Sequence, residues 1–279
     1  MRHAPLTAFA ALLAFAAPAA AADLRICVEG AYPPFSEISP SGDLIGFDID
    51  MARALCDEMG KSCDLVQTDW DGIIESLNTK KCDAIIASMS ITPARMEVVD
   101  FTNKYYHTPG AFVAEKGAGL EGTPEGLAGK RVGVQRGTIH DDYMVGEFPK
   151  ANLVRYGTQE EATADLAVGR LDAVAADKAT LDLGFLRSAD GEAFEFFGGD
   201  QAVPKYHGPG AGVAIRKGDE ELKQAFNAAI LALRADDRYR TINEKYFPYD
   251  VYGAEEGEGG STAAPAEEPA AEKEAAPAQ

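Results

Sequence analysis

Between Ala84 and Arg95 the chain reads AIIASMSITPAR, and this stretch constrains the fold more than any other. It starts as an apolar, β-branched run, turns polar at Ser88 and Ser90, and meets Thr92-Pro93, a helix start with Thr as N-cap and Pro at the first helical position. A buried strand must therefore end here and a helix begin. In open α/β sheets the crevice outside the carboxyl ends of strands takes ligands, and a helix N-terminus favours anions. This edge carries two hydroxyls and a guanidinium. Arg95 falls at the third helical position, where its charge opposes the helix macrodipole. A ligand carboxylate would offset that cost, so Arg95 is read as facing an anion rather than as a surface partner of Glu97 or Asp100.

The same logic recurs along the chain. Leu24 to Val28 reads as a strand, and the loop Glu29-Gly30-Ala31-Tyr32-Pro33-Pro34-Phe35 places an acid and two aromatics at its end. Two prolines keep that loop from becoming helix. Asp48 is expected to cap a helix whose Ile49, Ala52, Leu55 and Met59 share one face. Leu65 to Gln67 reads as a second strand, and Trp70, the only tryptophan, opens a helix from Asp71 to Thr79. Trp70 at that position is either an edge cover or a stacking platform. With the strand Asp83 to Ala87, the order β-α-β-α-β-α predicts a parallel sheet.

After Phe101 the punctuation changes. Pro109-Gly110 precedes a strand from Ala111 to Ala114, Thr123-Pro124 is expected to start a short helix, and Arg131 to Val134 forms a strand ending in Gln135-Arg136-Gly137-Thr138. That is again a strand, a glycine turn and a hydroxyl at a helix start. Asp177 follows the strand Asp172 to Ala175 and precedes a helix near Lys178 to Arg187, so it is either an N-cap or a ligand contact. Gly208-Pro209-Gly210 breaks the chain before a strand from Gly212 to Ile215 and two helices, Asp219 to Arg234 and Arg238 to Tyr246. Two βα units with Gly/Pro breaks near 109 and 209 predict an α/β protein of two lobes, 23–108 plus 211–253 and 109–210, joined by two crossing strands. His107 and His207 fall in that joining region and His140 one turn into a helix, so no histidine or cysteine base is expected at a ligand edge.

The ends of the 279-residue chain are set apart. Residues 1–22 carry Arg2 and His3, a short apolar stretch and a run of alanines, the pattern of a cleaved secretory signal peptide. No later segment approaches twenty apolar residues, so the mature chain is expected to be soluble and not membrane-embedded. Residues 254–279 are Ala, Glu, Pro and Gly with almost nothing large and apolar, which predicts a disordered acidic tail. The net charge is −19, and the tail's seven glutamates and one lysine supply about a third of it. Such a balance excludes nucleic acid as a partner and favours a cationic small molecule at long range. Four cysteines in an exported chain invite pairing. Cys56 and Cys63 are expected to bond because Gly60 offers a C-cap at which the chain can double back. Cys27 and Cys82, in or beside apolar strands, are expected to be buried thiols.

The motifs Tyr32-Pro33-Pro34-Phe35, Gly46-Phe47-Asp48-Ile49-Asp50, Ala84 to Arg95, Arg131-Val132-Gly133-Val134, Gly137-Thr138 and Arg170-Leu171-Asp172-Ala173 together resemble the periplasmic solute-binding proteins of ABC importers for polar amino acids. The likeness runs from Leu24 to Gly253 and is strongest to the branch that binds histidine or lysine, arginine and ornithine. The resemblance implies the type II periplasmic-binding fold, two lobes closing on a free amino acid, a membrane permease as partner, a monomer, no cofactor or metal and no enzymatic activity. It implies that Arg95 and Ser90 take the ligand carboxylate with backbone around Thr138 and Ile139. Asp177 would take the ammonium with Ser88 nearby, Tyr32 and Trp70 would sandwich the side chain, and Glu29 would meet its cation. The Cys56 and Cys63 pair matches a disulfide of that branch. Alternative readings are a periplasmic enzyme on the same fold, such as a cyclohexadienyl or arogenate dehydratase, and a binder of neutral polar amino acids or opines.

Overall fold

A computed structural model describes residues 22–253. The tail expected after residue 253 and the leader expected over residues 1–22, Ala22 excepted, lie outside the described residues.

The β-branched and apolar runs form two five-stranded sheets with the same plan. In the first, Leu24–Val28 lies between Cys63–Gln67 and Ala84–Ile85, parallel to both. Ala211–Arg216 then pairs antiparallel with Ala84–Ile85 and with Val99–Tyr106. In the second, Arg131–Gln135 lies between Asn152–Tyr156 and Ala173–Asp177, parallel to both. Gly110–Glu115 joins antiparallel, followed by Phe194–Gln201. The parallel expectation thus holds for three strands of each sheet. Of the two added strands in each sheet, Ala211–Arg216 and Gly110–Glu115 run against the parallel three, and Val99–Tyr106 and Phe194–Gln201, antiparallel to those, run with them; the chain passes between sheets from Val99–Tyr106 to Gly110–Glu115 and from Phe194–Gln201 to Ala211–Arg216.

Those crossings occupy residues 107–109, before Gly110–Glu115, and 202–210, between Phe194–Gln201 and Ala211–Arg216. At the second, Gly208 has φ +62 and approaches the Ile91 carbonyl so closely that an added Cβ would lie 2.0 Å from its oxygen. Only glycine fits there. The helix Phe47–Glu58 and the C-terminal helices Glu220–Ala235 and Arg238–Tyr246 cover the first sheet. Phe35, Phe47, Tyr105, Tyr106 and Phe247 pack together within its core, with the Phe35 and Tyr106 rings stacked at 4.6 Å. A smaller core around Phe112, Tyr143 and Phe148 holds the second sheet.

Several local expectations are corrected. Residues 70–72 form a 3-10 turn and the helix proper is Ile73–Asn78. Thr123-Pro124 enters turns rather than a helix. Residues Thr180–Leu186 wind as a π-helix. The N-cap of Phe47–Glu58 is Gly46, and Asp48 turns inward, fully buried, instead of capping. The bond between Cys56 and Cys63 is present, and Cys27 and Cys82, expected as thiols, are also bonded, with Cα atoms 5.7 Å apart. Their burial was legible from the apolar neighbours, but their approach was not. It follows from the register that sets Cys27 opposite Ile85, which brings Cys82 under the same face among Ile73 and Leu77.

Candidate functional site: the cleft between the lobes

The carboxyl ends of the parallel strands from both sheets face one another across a cleft. Its walls are Glu29, Tyr32, Trp70, Ala87, Ser88, Ser90 and Arg95 from the first lobe and Gln135, Thr138, Ile139, His140 and Asp177 from the second. All nine residues singled out from the sequence lie on this one surface.

At one end stands Arg95. Thr92 caps the short helix Pro93–Met96, its hydroxyl accepting from the Arg95 N–H, and this aims the side chain into the cleft. The guanidinium donates to the Ser90 carbonyl at 2.9 Å and, across the cleft, to the Gly137 carbonyl at 3.3 Å. It also lies over the Trp70 ring, 5.2 Å from the centroid. Asp100 is engaged by Lys217 instead. Burial lowers the Arg95 pKa to about 10, so the group remains cationic at neutral pH. The facing helix Ile139–Glu147 presents its N-terminus, where first-turn N–H groups lack intrahelical partners. The Thr138 hydroxyl is engaged locally, donating to the Gln135 carbonyl and accepting from the Asp141 N–H. The other backbone N–H groups of this turn, with those of Thr138 and Ile139 at its start, are left to meet an anion.

Asp177 ends its strand 7% exposed and accepts from the Tyr32 hydroxyl at 2.7 Å. Tyr32 therefore bridges the lobes to the acid. His140, also buried, has its Nε2 3.6 Å from Asp177 Oδ1. This corrects the expectation that no histidine reaches a ligand edge. Phe35 lies beneath Tyr32 and covers the sheet end.

The third feature is Glu29, 5% exposed at the end of the first strand. Gln135 donates to its Oε1 at 2.5 Å and to the Gly157 carbonyl. Burial, reinforced by Asp48, Glu160 and Asp69, outweighs that hydrogen bond and raises the Glu29 carboxyl to about 7. Gln135 and His140 were not picked out from the sequence. Gln135 is the last residue of a parallel strand, as Asp177 is, and the strand-end rule applied to it would have found it. At the rim Arg136 and Asp71 close the gap with an ion pair of 2.6 Å between half-exposed side chains.

Two α/β lobes joined by two crossings, with a guanidinium, a buried acid and a second buried acid on facing strand ends, define a two-lobed solute-binding protein of the type II periplasmic-binding fold. The chain belongs to the bacterial extracellular solute-binding proteins, family 3, which it matches over residues 24–249. It is 48% identical over 258 residues to an L-arginine-binding protein of Pseudomonas aeruginosa, covering 91% of this chain and 100% of that one. It is 40% identical to the lysine/arginine/ornithine-binding periplasmic protein of Escherichia coli, covering 82% and 89%. Among solved structures, a Salmonella typhimurium periplasmic binding protein described for high arginine specificity superposes with a TM-score of 0.75 at 33% identity, covering 80% of this chain and 98% of that one. A periplasmic His/Glu/Gln/Arg/opine family-binding protein of Silicibacter pomeroyi in complex with lysine gives 0.73 at 35% identity, covering 83% and 100%.

Proposed function

We propose that this chain is the periplasmic solute-binding component of an ABC importer, that it binds a free basic amino acid (arginine, lysine, ornithine or histidine) in the cleft, and that it delivers it to a membrane permease. The observation that carries the reading is the arrangement of three charges: the Arg95 cation, the Asp177 acid, and the separate buried acid Glu29. An α-carboxylate, an α-ammonium and a side-chain cation are their complements. A carboxylate as enclosed as Glu29 is costly to ionise alone, and a ligand cation removes that cost. The names of the relatives, arginine-binding and lysine/arginine/ornithine-binding, support the same class.

Residues 23–108 plus 211–253 and 109–210 act in this reading as the two closing units. Ligand contacts made by both lobes favour the closed state by differential affinity, and the permease reads that state. The protein works as a monomer, is exported through a cleaved leader, and performs no chemistry on its ligand. A thermal-shift panel of amino acids tests the proposal. A basic amino acid at a hundred times its Kd stabilises by about 2.7 kcal/mol, or about 5 to 10 °C for a chain of this size. Glutamine or an opine giving the largest shift overturns the preference for a cationic side chain. Recovery of a chemically altered ligand after incubation overturns the non-enzymatic role.

A further inference from the structure

Ser88 is one of three non-glycine residues among those described with positive φ, at 54°. A side chain held in the left-handed region is strained and persists only where its surroundings impose it. Two buried groups do so. The Ser88 N–H donates to the Tyr105 hydroxyl at 3.0 Å, and the Ser88 hydroxyl donates to Asp48 Oδ2 at 2.8 Å. Tyr105 in turn donates its own proton to Asp48 Oδ1 at 2.8 Å, and both Tyr105 and Asp48 are fully buried. Burial raises the Asp48 carboxyl to about 7; above that pH it is a carboxylate and receives both hydroxyl protons, since an ionised acid only accepts. Ser88 lines the cleft, whereas Asp48 lies behind it.

The proton inventory has a chemical consequence. A hydroxyl has one proton and two lone pairs. With the Ser88 proton spent on Asp48, what remains toward the cleft is acceptor only, suited to N–H and unsuited to a carbonyl or carboxylate. We propose that Asp48 is a positioning residue for recognition of the ligand ammonium, fixing Ser88 as an acceptor that works beside Asp177. This rests on the reading of the cleft as an amino-acid site and assigns a role to a residue that never touches the ligand. Asparagine at position 48 presents one oxygen and one NH2 in place of two acceptors. If the NH2 faces Ser88, the serine must accept from it and turns its proton into the cleft. If the NH2 faces Tyr105, the phenolic proton loses its acceptor, and the hold on Ser88 loosens.

The test is calorimetry with L-arginine and with 5-guanidinopentanoic acid, which keeps the guanidinium and the carboxylate but lacks the ammonium. Asp48→Asn is expected to weaken arginine by about tenfold or more while changing the desamino acid less than about threefold. Ser88→Ala should show the same selective loss, and the double variant should be no worse than Ser88→Ala alone. Equal losses for both ligands, an unchanged arginine affinity, or additive losses in the double variant overturn the proposal. Should Asp48→Asn fail to fold, Tyr105→Phe removes one hydroxyl of the network and must likewise weaken arginine selectively; a non-selective loss overturns the proposal there too. A wild-type protein that binds no basic amino acid overturns the function proposed above together with this role, whereas wild-type binding with an unselective Asp48→Asn overturns this role alone.

Discussion

Replacing Glu29 with Gln preserves size and shape, and its consequences can be worked from the cleft. Glu29 is nearly enclosed, touched by the Gln135 amide, and its carboxyl titrates near 7 because burial opposes the charge. At neutral pH about half of the ligand-free molecules therefore carry a proton there. A cationic ligand must expel that proton on binding. Each pH unit between 7 and about 5 then weakens arginine by about tenfold, equivalent to about 1.4 kcal/mol. Asp48 is also raised to about 7, mainly by burial, so the diagnostic is the difference between wild-type and Glu29→Gln slopes. At pH 8 the variant should lose about 2 kcal/mol or more of arginine affinity, the worth of a charge-assisted hydrogen bond in a closed site, while glutamine loses little. The sign for the unliganded fold is opposite. Folded Glu29 binds its proton more tightly than the unfolded chain does, so this contribution is full below about pH 4.5 and lost as pH rises toward 7. Unliganded Glu29→Gln should therefore melt above the wild type at pH 8. Calorimetry across pH 5.5 to 8 with arginine and glutamine decides the matter. Equal weakening of both ligands, or parallel pH slopes in the two proteins, would falsify the assignment of Glu29 to the side-chain cation.

Arg95→Ala removes the partner of the ligand carboxylate and should cost about 2 to 5 kcal/mol of binding, read as a loss of at least thirtyfold in calorimetry. Wild-type affinity in that variant takes Arg95 out of the site. Removing the Cys27 to Cys82 bond by paired alanine substitutions should lower stability by about 4 kcal/mol on chain-entropy grounds, against about 2.5 for Cys56 and Cys63, because the first closes a loop of 55 residues and the second one of 7. Denaturant midpoints at constant m-value check the order, and a larger loss from the shorter loop contradicts it.

Much of the architecture was legible locally. Leu24–Val28, Arg131–Gln135 and Ala211–Arg216 announce themselves by β-branched runs, and Thr92 and Thr138 announce helix starts that the structure shows as side-chain caps. The Gly/Pro breaks near 109 and 209 mark the places where the chain changes sheets. Strand-end chemistry was legible too, because a polar residue directly after a buried strand is a local pattern. What only the tertiary structure decided is which strand ends meet. Tyr32 and Asp177 are 145 residues apart, Glu29 and Gln135 are 106 apart, and Cys27 and Cys82 are 55 apart. Asp48 shows the limit most clearly: a short acid at a helix start reads as a cap, yet it turns inward because Ser88 and Tyr105 offer it two hydroxyl protons in the core. Helix and strand periods are properties of neighbours along the chain and can be read from them. Partnerships across the cleft arise when sheets pack and two crossings close, and no local propensity encodes them.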